Sequence, residues 1–248
     1  LQLGEPENVQ KYDEAQLRSF WNRQKARPWV LAVSGDFDRD QVLAFAKGLP
    51  APDQGKVDVP VPAWGTRPEL DIPMPGRSQA HLMLIFKTAP NTSPDTPALD
   101  LLETSLGGMG GPLFRDLRDK QGLGYTVTAF NRQTSENGYM VFYIGTEPGK
   151  MAQAEEGFRR IINDLHQNLL SEEDVNRGKN QLEGDYYRNM QSLGSRSGEA
   201  AALTMEGYPL SFTKDQIEKS KKVTPEQLRE IVKKYLNVGS AYTIKVLP

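Results

Sequence analysis

Two stretches of this chain follow one plan: DEAQLRSFWNRQKARPWVLAVSG from Asp13 and TPEQLREIVKKYLNVGSAYTIKV from Thr224. Each opens on a residue suited to cap a helix and carries Gln-Leu-Arg three positions on. Each then breaks briefly and runs into an apolar strand. Their separation is 211–213 residues, the length of a domain rather than a solenoid period. The simplest reading is two copies of one α+β domain. Residues 1–55 are then the helix–strand–helix tail of a preceding copy, 56–65 a Pro-rich linker, and 66–248 one complete copy. The first residue is Leu1 and no signal peptide is visible, so the chain is expected to be a piece of a longer or processed polypeptide.

Within that plan, the spacing predicts helices at 13–26, from Asp38, at 96–106 and at 112–120. A further helix of about twenty residues is expected from Gly149, and another from a capping box, Ser171 followed three residues later by Asp174. Helices are also predicted at 195–206, 213–222 and 225–236. Strands are expected at 29–37, 79–89, 123–133 and 138–147, the last two joined by the hairpin signal SENG, with a final strand AYTIKVL. Seven prolines between Pro50 and Pro75 mark a linker or an edge segment, because proline cannot donate to a central ladder.

Composition removes several chemistries. With no cysteine, thiol nucleophiles, disulfides and Cys-based metal sites are impossible. There are two histidines, His81 and His166, and neither H-E-x-x-H nor H-x-x-E-H occurs, so no catalytic residue and no metal ligand is assigned to this chain. No serine lies in a G-x-S-x-G elbow. The cluster GGMGG (107–111) lacks the Lys-Ser or Lys-Thr of a phosphate loop and is read as a close helix–helix connection. A formal net charge of -2, with acids and bases interspersed, gives no footprint for nucleic acid. No apolar run reaches the ~20 residues of a membrane helix. A soluble protein of bacterial periplasm or cytoplasm fits, with the compartment open.

The stretch LFRDLRDKQGLGYTVTAF (113–130) places Arg118 and Tyr125 seven residues apart across a helix-to-strand corner. Periodicity alone makes Arg118 a solvated helix residue and Tyr125 a half-buried strand residue. The flanking Gly122 and Gly124 permit a second reading, in which a tight bend brings guanidinium and phenol together as donors to a substrate oxygen.

Several segments together resemble the M16 metallopeptidases, the pitrilysin, insulysin and mitochondrial processing peptidase family. LLETSLGGMGGPLFRDLRDKQGLGYTVTA is similar to the glycine-rich, Arg-to-Tyr signature of that family's non-catalytic domain. YIGTEPGKMAQAEEGF, DVNRGKNQLEGDYYRNM and WVLAVSGDFDRDQVLAF resemble the elements around it. The resemblance implies a LuxS/MPP-like metallohydrolase fold, a mainly antiparallel sheet covered by helices on one face. It implies the C-terminal, substrate-binding part of a zinc endopeptidase acting on peptides or unfolded polypeptides. Zinc is then expected on a catalytic M16 half, upstream or on a partner chain, with no cofactor on this one. Arg118 and Tyr125 match the family's substrate-contacting pair. Gly111-Pro112 stands where the family has Ser-Arg. A catalytically inactive M16-like scaffold, like the family-related core subunits of respiratory complex III, is the alternative, and a free-standing peptide-binding module a third.

Overall fold

A computed structural model describes residues 4–51, 63–66 and 68–248. The chain divides into two units, one of residues 1–60 and 191–210 and the other of 61–190 and 211–248. Most of the expected 56–65 linker lies outside the described residues.

In the first unit, α1 spans Pro6–Val9, α2 Glu14–Lys25 and α3 Arg39–Lys47. Asp13 and Gln16 close a reciprocal capping box on α2, each side chain bonding the other's backbone N–H, at 2.7 and 3.0 Å. Asp38 caps α3 through the Asp40 and Gln41 amides. None of these three helices buries a residue. Residues 29–37, expected as a strand, form none. The sequence is apolar enough, but a strand exists only where a neighbour accepts its hydrogen bonds, and among the described residues none pairs with it. The unit also contains α7, Leu193–Glu206, capped by Ser192 and ended by Gly207 at φ +79°.

The second unit holds a five-stranded sheet in the order β1-β5-β2-β4-β3. Its strands are β1 Glu69–Pro73, β2 Ala80–Thr88, β3 Gly124–Gln133, β4 Gly138–Thr146 and β5 Tyr242–Leu247. β1 runs parallel to β5, and every other pairing is antiparallel. The Pro-rich window therefore supplies an edge strand, the one position where Pro68 and Pro73 cost no central hydrogen bond.

Alternation along β2 sends Ala80, Leu82, Leu84 and Phe86 to one face, where they are wholly buried with Met140, Phe142 and Ile144 of β4. Helices α4 Thr96–Leu106, α5 Met151–Gln167 and α9 Pro225–Tyr235 cover that face. Phe158 of α5 meets Phe142 edge-on at 5.9 Å, and Phe142 meets Phe86 at 5.7 Å. α9 buries Leu228, Ile231 and Val232 below a capping box made by Thr224 and Gln227. Each such side chain contributes roughly 1.5–3 kcal/mol. α6 (Glu172–Asn189) packs against α4, and α8 (Phe212–Ser220) completes the helical layer. The chain is thus α+β, with a mainly antiparallel sheet and helices packed on one face.

Candidate functional site

The corner between α4 and β3 departs from regular structure three times. Phe114–Lys120 wind as a π-helix rather than the expected α-helix, with the Gln121 N–H donating to the Asp116 carbonyl at 3.2 Å. A widened turn of this kind shifts the side chains that follow around the axis. The chain then reverses at Gly122, φ +61°, where the Leu123 N–H reaches back to the Leu117 carbonyl at 2.8 Å. Finally β3 opens on a bulge: Gly124 pairs with Thr146 and Thr126 with Gly145, leaving Tyr125 as the extra residue. A Cβ on Gly124 would collide with the Gly145 carbonyl oxygen, so only glycine lets the strand start this close to β4.

The bulge turns Tyr125 out of the ladder, and the residue is 75% exposed. Arg118 folds back against it. Its guanidinium carbon lies 4.4 Å from the Tyr125 ring centroid and 4.4 Å from that of Phe114, and one nitrogen donates to the Tyr125 carbonyl at 3.2 Å. The guanidinium is thereby held over both rings, which restricts a side chain that is otherwise rotamer-rich. The structure brings Arg118 and Tyr125 together, and their link is ring stacking and a backbone carbonyl rather than two parallel donors.

Neighbouring bonds fix the corner. Both Asp116 carboxylate oxygens accept from one guanidinium nitrogen of Arg160 on α5, at 3.0 and 2.9 Å, and one of them accepts from Gln121 at 2.5 Å. Lys150 donates to the Gly122 carbonyl at 3.2 Å, and the Thr146 hydroxyl to the Leu123 carbonyl at 2.5 Å. Above the corner the GGMGG loop makes the close approach expected of it. Gly108 has φ +74°, and a Cβ on Gly111 would strike the carbonyls of Leu106 and Gly107. Met109 at its tip is 81% exposed.

The loop is clamped by residues that the sequence pattern assigned to another task. Asp174 takes a bidentate pair from Arg115 at 2.8 and 2.9 Å, a bond from the Ser171 hydroxyl at 2.8 Å, and one from Arg177. Arg115 also donates to the Gly110 carbonyl, and Arg177 to the Ser105 carbonyl at 2.6 Å. The reciprocal capping box expected at Ser171 is therefore only half made: the hydroxyl caps the Asp174 N–H at 3.1 Å, but the carboxylate is turned to the arginines. Burial alone would raise the Asp174 pKa. The bonds from Arg115, Arg177 and Ser171 outweigh it and hold the carboxyl well below the usual carboxylate range. The paired arginines at 115 and 177 were the signal available beforehand.

Among the described residues no group of three or more His, Asp or Glu side chains is placed to hold an ion. His81 Nδ1 lies 2.8 Å from the Tyr143 hydroxyl, and His166 Nε2 lies 3.0 Å from the Leu236 carbonyl.

Residues 13–182 match the model of the peptidase M16 inactive domain. The chain belongs to the M16 peptidase family, in its inactive-domain branch. An uncharacterised zinc protease of Streptomyces coelicolor is 23% identical over 246 residues, 94% of this chain and 53% of that protein. This M16 chain thus spans about half the length of the curated relatives it matches. Among solved structures, a protease from Helicobacter pylori superposes with a TM-score of 0.82 at 18% identity, covering 99% of this chain and 62% of that one. A peptidase M16 inactive domain from Pseudomonas fluorescens gives 0.76 at 24% identity, covering 99% and 60%. These likenesses carry the M16 fold.

Proposed function

We propose that this chain is the C-terminal, substrate-binding part of an M16-type zinc endopeptidase that cleaves peptides or unfolded polypeptides. The metal site belongs to a catalytic M16 half, in the same polypeptide or on a partner subunit. The observation that carries this reading is the corner at 114–126. A π-turn, a left-handed glycine and a bulge combine to present the Tyr125 phenol to solvent with Arg118 locked beside it. Irregular backbone of this kind persists where surrounding bonds hold it, and here Arg160, Lys150 and Thr146 do so.

In this reading the Tyr125 hydroxyl donates to the scissile carbonyl oxygen as it gains charge, and the guanidinium of Arg118 keeps the ring aimed and binds the peptide backbone. Among the described residues no group of side chains is placed to hold zinc. The test compares the purified chain with the two halves joined. The 248-residue chain is expected to bind no stoichiometric zinc and to cleave no unfolded protein, while the joined halves do both. Robust cleavage by the chain alone would overturn the reading. A joined polypeptide whose other half lacks H-x-x-E-H would move the family assignment to an inactive scaffold.

A further inference from the structure

Alternation along β2 turns His81, Met83, Ile85 and Lys87 away from the face that α4, α5 and α9 cover. Lys87 ends this row, and among the described residues it makes no ion pair. Its ammonium meets aromatic rings instead, 5.2 Å from the ring centroid of Trp64 and 5.5 Å from that of Tyr242. Trp64 in turn packs on Tyr242 at 5.5 Å and edge-on against Tyr139, the cross-strand partner of Lys87, at 6.4 Å. The rings hold in place an ammonium that would otherwise sweep through solvent on its flexible stem.

Beside this ammonium lies an open pocket of about 390 Å³, lined by Lys87 with Thr66, Pro68, Lys234, Asn237 and Tyr242. Sites for small ligands have volumes of roughly 300–1,000 Å³. The other cation of the wall is spent: Lys234 and the Tyr235 hydroxyl both donate to Asp95, each at 2.6 Å. The Tyr242 hydroxyl is committed to the Gly65 carbonyl at 2.7 Å. Asn237 Oδ1 accepts from the Gly239 N–H at 2.9 Å, which leaves its side-chain amide as a donor. The pocket therefore offers one uncompensated ammonium and a neighbouring amide donor. Arg132, on the far side of Tyr139 in the same cross-strand row, adds positive potential at this end of the sheet.

The geometry points to a carboxylate-binding site, in which Lys87 and Asn237 take one carboxylate of a peptide, either its chain terminus or an Asp or Glu side chain. One ammonium matches a monoanion, whereas a phosphate dianion would keep a charge unmatched. This rests on reading the chain as a substrate-binding part, and it places a second hold on the substrate. His81 lies opposite Gly145, which also pairs with Thr126 beside the bulged Tyr125. Lys87 is six residues farther along β2, a distance of about 20 Å. An extended peptide covers that span with about six residues, so the chosen carboxylate lies about that far from the bond held at Tyr125.

Fluorescence anisotropy with the 248-residue chain tests this. One dye-labelled, unstructured peptide of neutral residues is used in three forms: with a free C-terminal carboxylate, amidated, and amidated with one internal Glu. At least one carboxylate form should bind about tenfold tighter than the neutral one. Tightening by the terminus, by the Glu or by both supports the site and names the source of the carboxylate. Lys87→Met should abolish the difference, and Lys87→Arg should keep most of it; Lys87 is exposed, so neither change disturbs the core. Equal affinity of all three forms, binding of none, or a preference that survives Lys87→Met would overturn the proposal. So would displacement of the peptide by inorganic phosphate at lower concentration than by acetate. The assay reads binding and no cleavage, so its failure leaves the cleavage test of the joined halves standing.

Discussion

Asp100 and Glu103 lie three residues apart on α4, and both hold one residue of β3. The Asn131 N–H donates to Glu103 at 2.9 Å, and its side-chain amide donates to Asp100 at 3.1 Å. Burial pushes the Glu103 carboxyl up to about 7, with the nearby Asp100 charge adding to it against the Asn131 bond and Arg132. Burial likewise pushes Asp100 up to about 6. Folding therefore favours the protonated forms, and the stability they bring is present at about pH 4 and lost as pH rises through 6 to 7. Urea midpoints of the chain should fall from pH 5 to pH 8, and Glu103→Gln should flatten that slope. A Glu103→Gln variant with the wild-type slope would show that this carboxyl does not titrate in the fold. Asp174 acts in the opposite sense: its contribution is present above the ordinary carboxylate range and is lost progressively as the pH falls below it. None of this was legible from spacing. The sequence places two acids one turn apart, but their partner Asn131 is 28 residues beyond Glu103 and meets it only through the sheet.

At the scale of the element, the irregular corner is what makes the site. Gly124 stands where β3 touches β4, and Gly124→Ala should cost about 1–3 kcal/mol as the strand is pushed off the Gly145 carbonyl. Gly122→Ala meets no neighbouring atom and should cost only ~1 kcal/mol, for its positive φ. Thermal unfolding of the two variants checks the ranking, and equal losses would mean that φ rather than contact decides. Sequence patterns found nearly every helix and strand of the second unit, because caps, alternation and hairpin signals act locally. They missed the π-turn and the bulge, whose causes are tertiary: Arg160 and Lys150 reach this corner from beyond β4. They also predicted a strand at 29–37 from an apolar run ending in a Gly-Asp turn, where strand structure depends on a partner.

At the scale of the molecule, the repeat was the most informative feature. It pairs two helices with the same capping box, of which α9 buries its apolar triad and α2 leaves its own exposed. The Arg118–Tyr125 pair could be singled out in the sequence only with the family resemblance, since its spacing alone fits solvated surface equally well. In the structure Tyr125 is exposed and unpaired by the ladder, so a conservative change there tests chemistry with little cost to folding. The most direct measurement is steady-state kinetics of Tyr125→Phe in the polypeptide carrying both halves. A kcat lowered by about tenfold to a hundredfold is expected, with KM and thermal stability nearly unchanged, because the lost bond is made mainly in the transition state. An unchanged kcat would contradict it and remove Tyr125 from the reaction.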